Sequence, residues 1–212
     1  MEKTELWSTI VGSHMWRMET AESDLDLFVC EVVPTRQILL GQQAKSAQTQ
    51  IKDMKVDMVT HEIGKVIYYL QRGNVHFVWG LTSPRVETTT PEHKRLRNLF
   101  ETEISRNCFA SINGLATHNI KDGINKYGAT KIPQKNLKLI ARTIQFGIYV
   151  LENGSISYNV DLPEQISIEY ITKLQSELQD AYEKSDLCDA PDKKLYEDFL
   201  CEIRVKQLTG LL

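Results

Sequence analysis

Residues 7–33 read WSTIVGSHMWRMETAESDLDLFVCEVV, and they decide the fold. Residues 7–11 are a short apolar run that stops at Gly12, the pattern of a strand entering a turn. Residues 25–33 are rich in β-branched and apolar side chains and stop before Pro34, the pattern of a second strand. Residues 13–20 between them suit a short helix. Asp24 and Asp26 lie two apart at the start of the second strand. Alternation along a strand therefore sends both carboxylates to one face, and the apolar run FVCEVV after them predicts that this strand is buried. Two such acids repel each other unless a cation lies between them. Magnesium prefers hard oxygen ligands and takes one or two protein carboxylates, so Mg2+ or Mn2+ is the expected ion. Gly12-Ser13 supplies the complementary half. A glycine lets backbone approach a ligand closely, a helix starting at Ser13 offers free N–H groups to phosphate, and the Ser13 hydroxyl adds a hydrogen bond. Ser23, just before Asp24, joins this set. Phosphate donors opposite metal-binding acids are what a nucleoside triphosphate–magnesium complex requires.

Reading outward, residues 56–60 (VDMVT) alternate as a third strand, and the polar residues 42–50 read as a loop. Residues 61–72 carry a helical stripe of Ile63, Val66, Ile67 and Leu70, stopped by Gly73-Asn74. Residues 82–91 read as a loop with two prolines. Helical periods then recur over residues 92–107, 108–127, 135–151, 168–183 and 193–208. The expected class is α+β: a small mixed sheet with flanking helices over residues 1–90, then a mainly helical domain over residues 91–212.

The bulk properties narrow the function. With 212 residues and a formal net charge of −3, the chain predicts no broad nucleic-acid footprint, so any such contact needs a local basic patch. No run of eighteen apolar residues predicts a membrane span, and residues 1–11 are too polar for a secretory signal. Cys30, Cys108, Cys188 and Cys201 form no C-x-x-C pair and read as free thiols in a reducing compartment, which predicts the cytoplasm. Residues 12–15, GSHM, match a common tag-cleavage scar. They follow an apolar segment that flows into them, so they read as native.

Gly12-Ser13, ten residues, then Asp24-x-Asp26 resembles the signature of the DNA polymerase beta-like nucleotidyltransferase superfamily. The resemblance implies a short mixed sheet flanked by helices and a third carboxylate on a later strand. Asp57 stands at that place, with Asp53 as the fallback; read alone, Asp57 is equally a surface residue at a strand end. A narrower similarity covers residues 61–84, HEIGKVIYYLQRGNVHFVWGLTSP, which resemble the predicted nucleotidyltransferases associated with RNA repair. Members of that family carry a later helix with Lys and Arg seven residues apart, here Lys135 and Arg142. Lys138 shares their face. The stripe reads either as a triphosphate contact or as a solvated helix face. The family spacer also holds an aromatic residue followed by glycine. Trp16 fits the first, but Arg17 stands in place of the second, where it either touches phosphate or narrows the site.

The resemblance implies transfer of a nucleoside monophosphate from an NTP, ATP among the candidates, to an acceptor hydroxyl with release of pyrophosphate. Asp24 and Asp26 would hold one ion, and Asp57 would share a second. The acceptor is an RNA end, a protein or a small molecule. The competing class is a non-catalytic or regulatory module of the same fold, such as an antitoxin-like partner that binds or modifies a helical toxin. Magnesium-dependent triphosphate binding separates the two. His61 and His118 read as cap or packing residues, and Tyr68, Tyr69, Phe77 and Trp79 as core.

Overall fold

The computed structural model describes residues 3–42, 45–128 and 131–212, with Lys52 as backbone only. The chain forms two compact units. One comprises Met1–Gln71, His76–Glu103 and Asp192–Leu212; the other comprises Arg72–Val75 and Ile104–Pro191.

The first unit is built on a five-stranded mixed sheet, as expected for an α+β core. The strands are β1 (Thr4–Val11), β2 (Leu25–Val32), β3 (Ala47–Ile51), β4 (Val56–Glu62) and β5 (Val86–Thr88), in the order β3-β4-β2-β1-β5. β2 and β4 run parallel, while the other pairs are antiparallel. One-turn helix α1 (Gly12–Met15) follows β1, and α2 (Thr35–Leu39) follows β2. The helix read over residues 13–20 is therefore confined to this single turn, because Arg17 turns into the left-handed region with φ +55°.

Two of the five strands were expected to be loops. β3 lies within the polar stretch 42–50 and extends it to Ile51, and β5 lies within 82–91. (Residues 43 and 44 of the first stretch lie outside the described residues.) All residues of β3 and β5 are exposed edge positions. An edge strand solvated on both faces carries no apolar alternation, so only its hydrogen bonds to β4 or β1 define it.

Helix α3 (Ile63–Leu70) buries Ile63, Val66, Ile67 and Leu70, the stripe its sequence predicts. Glu62 caps it by accepting from the Gly64 N–H at 2.7 Å. Helix α4 (Val75–Thr82) lies on the sheet. Its Gly80 carbonyl accepts from Trp7 Nε1 at 3.0 Å and from Thr9 Oγ1 at 2.7 Å. A Cβ at Gly80 would clash with the Phe28 ring, so only glycine permits this approach. Helix α5 (Pro91–Thr102) starts at a Thr90 cap with Pro91 in its first turn. Its His93 stacks on Trp7 at 4.8 Å, with Nδ1 near Thr89 Oγ1 and Nε2 near the Leu81 carbonyl. A carbonyl only accepts, so Nε2 carries a proton, and burial lowers the pKa of the ring.

The last helix, α9 (Lys193–Thr209), belongs to this unit although it closes the chain. Gln207 Oε1 accepts from Thr35 N and Oγ1, each at 2.5 Å. Arg204 donates to Glu62 and, at 3.1 Å, to the Val33 carbonyl. Glu62 and Arg204 are both largely shielded from water, so removing either partner would leave an uncompensated charge.

The second unit is helical: α6 (Cys108–Tyr127), α7 (Gln134–Asn153) and α8 (Ile168–Lys184). Gly147 of α7 brings Ile112 and Leu178 close; a Cβ there would meet them at 2.8 and 2.9 Å. Gly154 ends α7 in the left-handed conformation, as its sequence position predicts. Among the described residues, no helix is long and apolar enough to cross a membrane.

Candidate active site

Residues paired across strands share a face of the sheet. One face carries Trp7, Thr9 and Val11 of β1, then Cys30, Phe28 and Asp26 of β2, then His61, Val59 and Asp57 of β4. β3 adds Gln48 and Gln50. Helix α4 covers the Trp7–Phe28 end through Gly80. The other end, with Asp26 and Asp57, is half-buried and open.

Asp26 and Asp57 are direct partners in the parallel β2–β4 register. Neighbouring strands lie ~4.8 Å apart, so the two carboxylates leave the sheet side by side. Asp57 accepts from Gln48 Nε2 at 3.1 Å to each oxygen and from Gln50 Nε2 at 3.5 Å. The two amides hold it from the edge strand. Gly12 stands against Asp26 from the other side. Its φ is +65°, and a Cβ there would lie 2.9 Å from the Asp26 carboxylate carbon and closer to Oδ2. Glycine is thus required twice, for its backbone and for the space the carboxylate occupies.

Asp24 is exposed and stands one residue before β2, so the Asp24/Asp26 pair does not lie on a buried strand as its sequence context suggests. The apolar run begins to be buried only at Phe28. Asp24 nonetheless lines one cleft with Gln50, Ile51, Lys55, Val56 and Asp57, of about 220 Å³. Asp53 is exposed in the 3-10 turn Lys52–Met54 before β4. The Ser13 carbonyl accepts from Trp16 N at 3.2 Å and from Met18 N at 3.1 Å, which folds residues 16–18 back on the Gly12-Ser13 turn. Ser23 closes the neighbouring turn, its Oγ accepting from Thr20 N at 2.9 Å. Arg85 ties this loop down, donating to the His14 carbonyl at 3.1 Å and to Glu19 at 3.2 Å.

Arg17 explains its own departure from the family pattern. It adopts the left-handed conformation that glycine takes freely, at the position where the resemblance expects glycine. That conformation costs a non-glycine residue roughly 1 kcal/mol. Lys55 is the other described non-glycine residue with positive φ, at +51°. Its carbonyl accepts from Leu25 N at 2.8 Å, joining the starts of β2 and β4.

Lys135, Lys138 and Arg142 lie on α7 in the second unit. Lys135 is exposed, Lys138 half-buried and Arg142 only 8 % exposed, so the three do not form one solvated stripe. His61 packs between Phe28 and Phe77 at 4.9 and 4.8 Å. Its Nδ1 lies 2.7 Å from Ser46 Oγ, and Ser46 Oγ accepts from Lys65 at 2.7 Å. Burial, helped by the Lys65 charge, lowers its pKa to about 4 and keeps the ring neutral. His118 is exposed within α6, neither cap nor core. Phe77 and Trp79 are buried as expected, whereas Tyr68 is exposed.

Gln48, Gln50 and Lys55 escape the sequence reading. The glutamines alternate in A-Q-T-Q-I at strand spacing, which was a usable signal; nothing in the sequence marks Lys55.

Among the described residues, no group of three or more His, Cys, Asp or Glu side chains forms a ready cation cage. Magnesium does not need one. It takes one or two protein carboxylates and fills its shell with water and phosphate oxygens. The hard oxygens of Asp26 and Asp57, adjacent in register beside the cradle that Gly12 leaves open, fit such an ion.

A mixed sheet with paired carboxylates beside a glycine-serine turn is the architecture of a polymerase beta-like nucleotidyltransferase. Residues 4–197 match the RNA repair pathway DNA polymerase beta family (RlaP), and the chain belongs to it. Membership points to a nucleotidyltransferase role. A comparison with curated proteins returns no match.

Proposed function

We propose that the open end of the sheet transfers a nucleoside monophosphate from an NTP to an acceptor hydroxyl, releasing pyrophosphate. The observation that carries this reading is the Asp26–Asp57 register beside Gly12, whose missing side chain leaves the Asp26 carboxylate its place. Asp26 and Asp57 would hold the divalent cation, Mg2+ or Mn2+, with Asp24 at the rim. The bound ion would supply charge that offsets the phosphates and eases deprotonation of the attacking hydroxyl. Gln48 and Gln50 orient Asp57. The Gly12-Ser13 turn and the Ser13 hydroxyl face the phosphates, Arg17 adds a cation on the adjoining loop, and Ser23 holds the turn that leads to Asp24. Lys135, Lys138 and Arg142 remain proposed nucleotide contacts on the family pattern alone.

The family name favours an RNA end as acceptor. A transfer assay with α-labelled NTPs, magnesium and RNA ends tests the proposal. The label should move to RNA with the wild type and not with Asp24→Asn or Asp26→Asn, while both variants melt close to the wild type. Activity that survives both changes would reject the assignment.

A further inference from the structure

We infer that Lys55 is a phosphate-binding residue of this site, a role that rests on the nucleotidyl-transfer reading above. Three observations converge on it. First, Lys55 lines the same cleft as Asp24 and Asp57. Second, it is one of only two described non-glycine residues with positive φ, and both are basic and both flank the site. The Leu25 N to Lys55 carbonyl bond holds this conformation where β2 and β4 begin, so the backbone that carries the ammonium is fixed against the strands that carry the acids. A lysine is not needed for that bond, because the acceptor is a carbonyl that any residue supplies, and glycine would supply it without strain. Third, the Lys55 ammonium makes no ion pair with a described residue, although two carboxylates line its cleft. Asp57 is held by Gln48 and Gln50 instead. The division suits a ternary complex. Lys55 is thereby placed to meet the anion that a cation at these carboxylates would bring.

A flexible ammonium on a fixed stem acts on phosphate as a point charge rather than a bidentate clamp. Lys55 would therefore bind the polyphosphate and leave the base unread. Its loss should weaken all nucleoside triphosphates alike, and inorganic tripolyphosphate with them.

The test is calorimetric binding of the four ribonucleoside triphosphates and of tripolyphosphate, each with magnesium, to the wild type and to Lys55→Gly, Lys55→Gln and Lys55→Arg. Glycine relieves the backbone and deletes the charge, glutamine keeps the stem, and arginine keeps the charge. Lys55→Gly and Lys55→Gln should weaken binding about tenfold, as expected for losing one charge-assisted hydrogen bond. They should also flatten the salt dependence of binding. Lys55→Arg should stay within about threefold of the wild type. Lys55→Gly should melt no lower than the wild type, which separates lost contact from lost fold. Wild-type affinity in Lys55→Gly and Lys55→Gln would overturn the role of Lys55 and leave the reading of the acids standing. A wild type that binds no triphosphate with magnesium would overturn both.

Discussion

The two ends of one sheet face contrast sharply. At the covered end, Trp7, Phe28 and His61 pack together beneath or beside α4, and Gly80 gives up its side chain so that the helix can reach Phe28. At the open end, Asp26, Asp57, Gln48 and Gln50 continue the same strands into solvent, and Gly12 gives up its side chain to a carboxylate. The same alternation along β2 therefore yields a packed ring at Phe28 and a half-buried carboxylate at Asp26. The difference lies in what stands over each residue. Glycine serves both ends, for a helix in one case and for an acid in the other.

The contrast is broken most forcefully at Asp26. Asp26→Asn keeps the size and removes the charge, so transfer should fall by more than about 100-fold, while the melting temperature hardly moves. Equal losses of stability and activity would mean that the open end is structural. Two alanine substitutions sharpen the comparison. Gly80→Ala should cost roughly 1–3 kcal/mol of stability by overpacking Phe28, read by urea unfolding, with little change in activity per folded molecule. Gly12→Ala should reduce transfer more than its own stability loss explains, because the new methyl displaces Asp26.

A smaller effect is expected with pH. The folded pKa of His61, about 4, lies below its ordinary value of 6.5, so the unfolded chain takes up the proton first as pH falls. Stability from this group is complete above about pH 6.5 and is lost as pH drops toward 4. The loss should be about 1 kcal/mol, given the partial exposure of the ring. Burial lowers the pKa of His76 and His93 as well, so they add to the slope in the same direction. His61→Gln should flatten only part of the unfolding profile. The smallest expected change is Arg17→Gly, which should raise stability by up to about 1 kcal/mol by relieving the positive φ. Unchanged or lower stability would contradict the strain assigned there.

The sequence made β1, β2, β4 and the long helices legible because their apolar residues recur at strand or helix period and several of their ends carry a glycine, at Gly12, Gly73 and Gly154. It concealed β3 and β5, whose exposed residues have no reason to be apolar. It also concealed the place of α9, since the pairs Glu62–Arg204 and Thr35–Gln207 join residues far apart in the chain, and no local period encodes such a pairing. Gly12 and Asp26 stood out by the Gly-Ser and Asp-x-Asp spacing and Asp57 by the resemblance, and the fold brings the three side by side. Lys55 did not stand out, because a lysine carries no signal for the positive φ it adopts before β4. Arg17 lies between these cases: its departure was visible at once, but only its φ explains how the chain tolerates it.

Under the proposed function, the open end binds a cation together with a triphosphate. Calorimetric titration of the wild type and Asp26→Asn with each NTP, in the presence and absence of magnesium, tests it most directly. The wild type should bind only with magnesium, and Asp26→Asn should lose that dependence along with most of the affinity. Equal binding with and without magnesium, or an Asp26→Asn variant that binds as the wild type does, would contradict it.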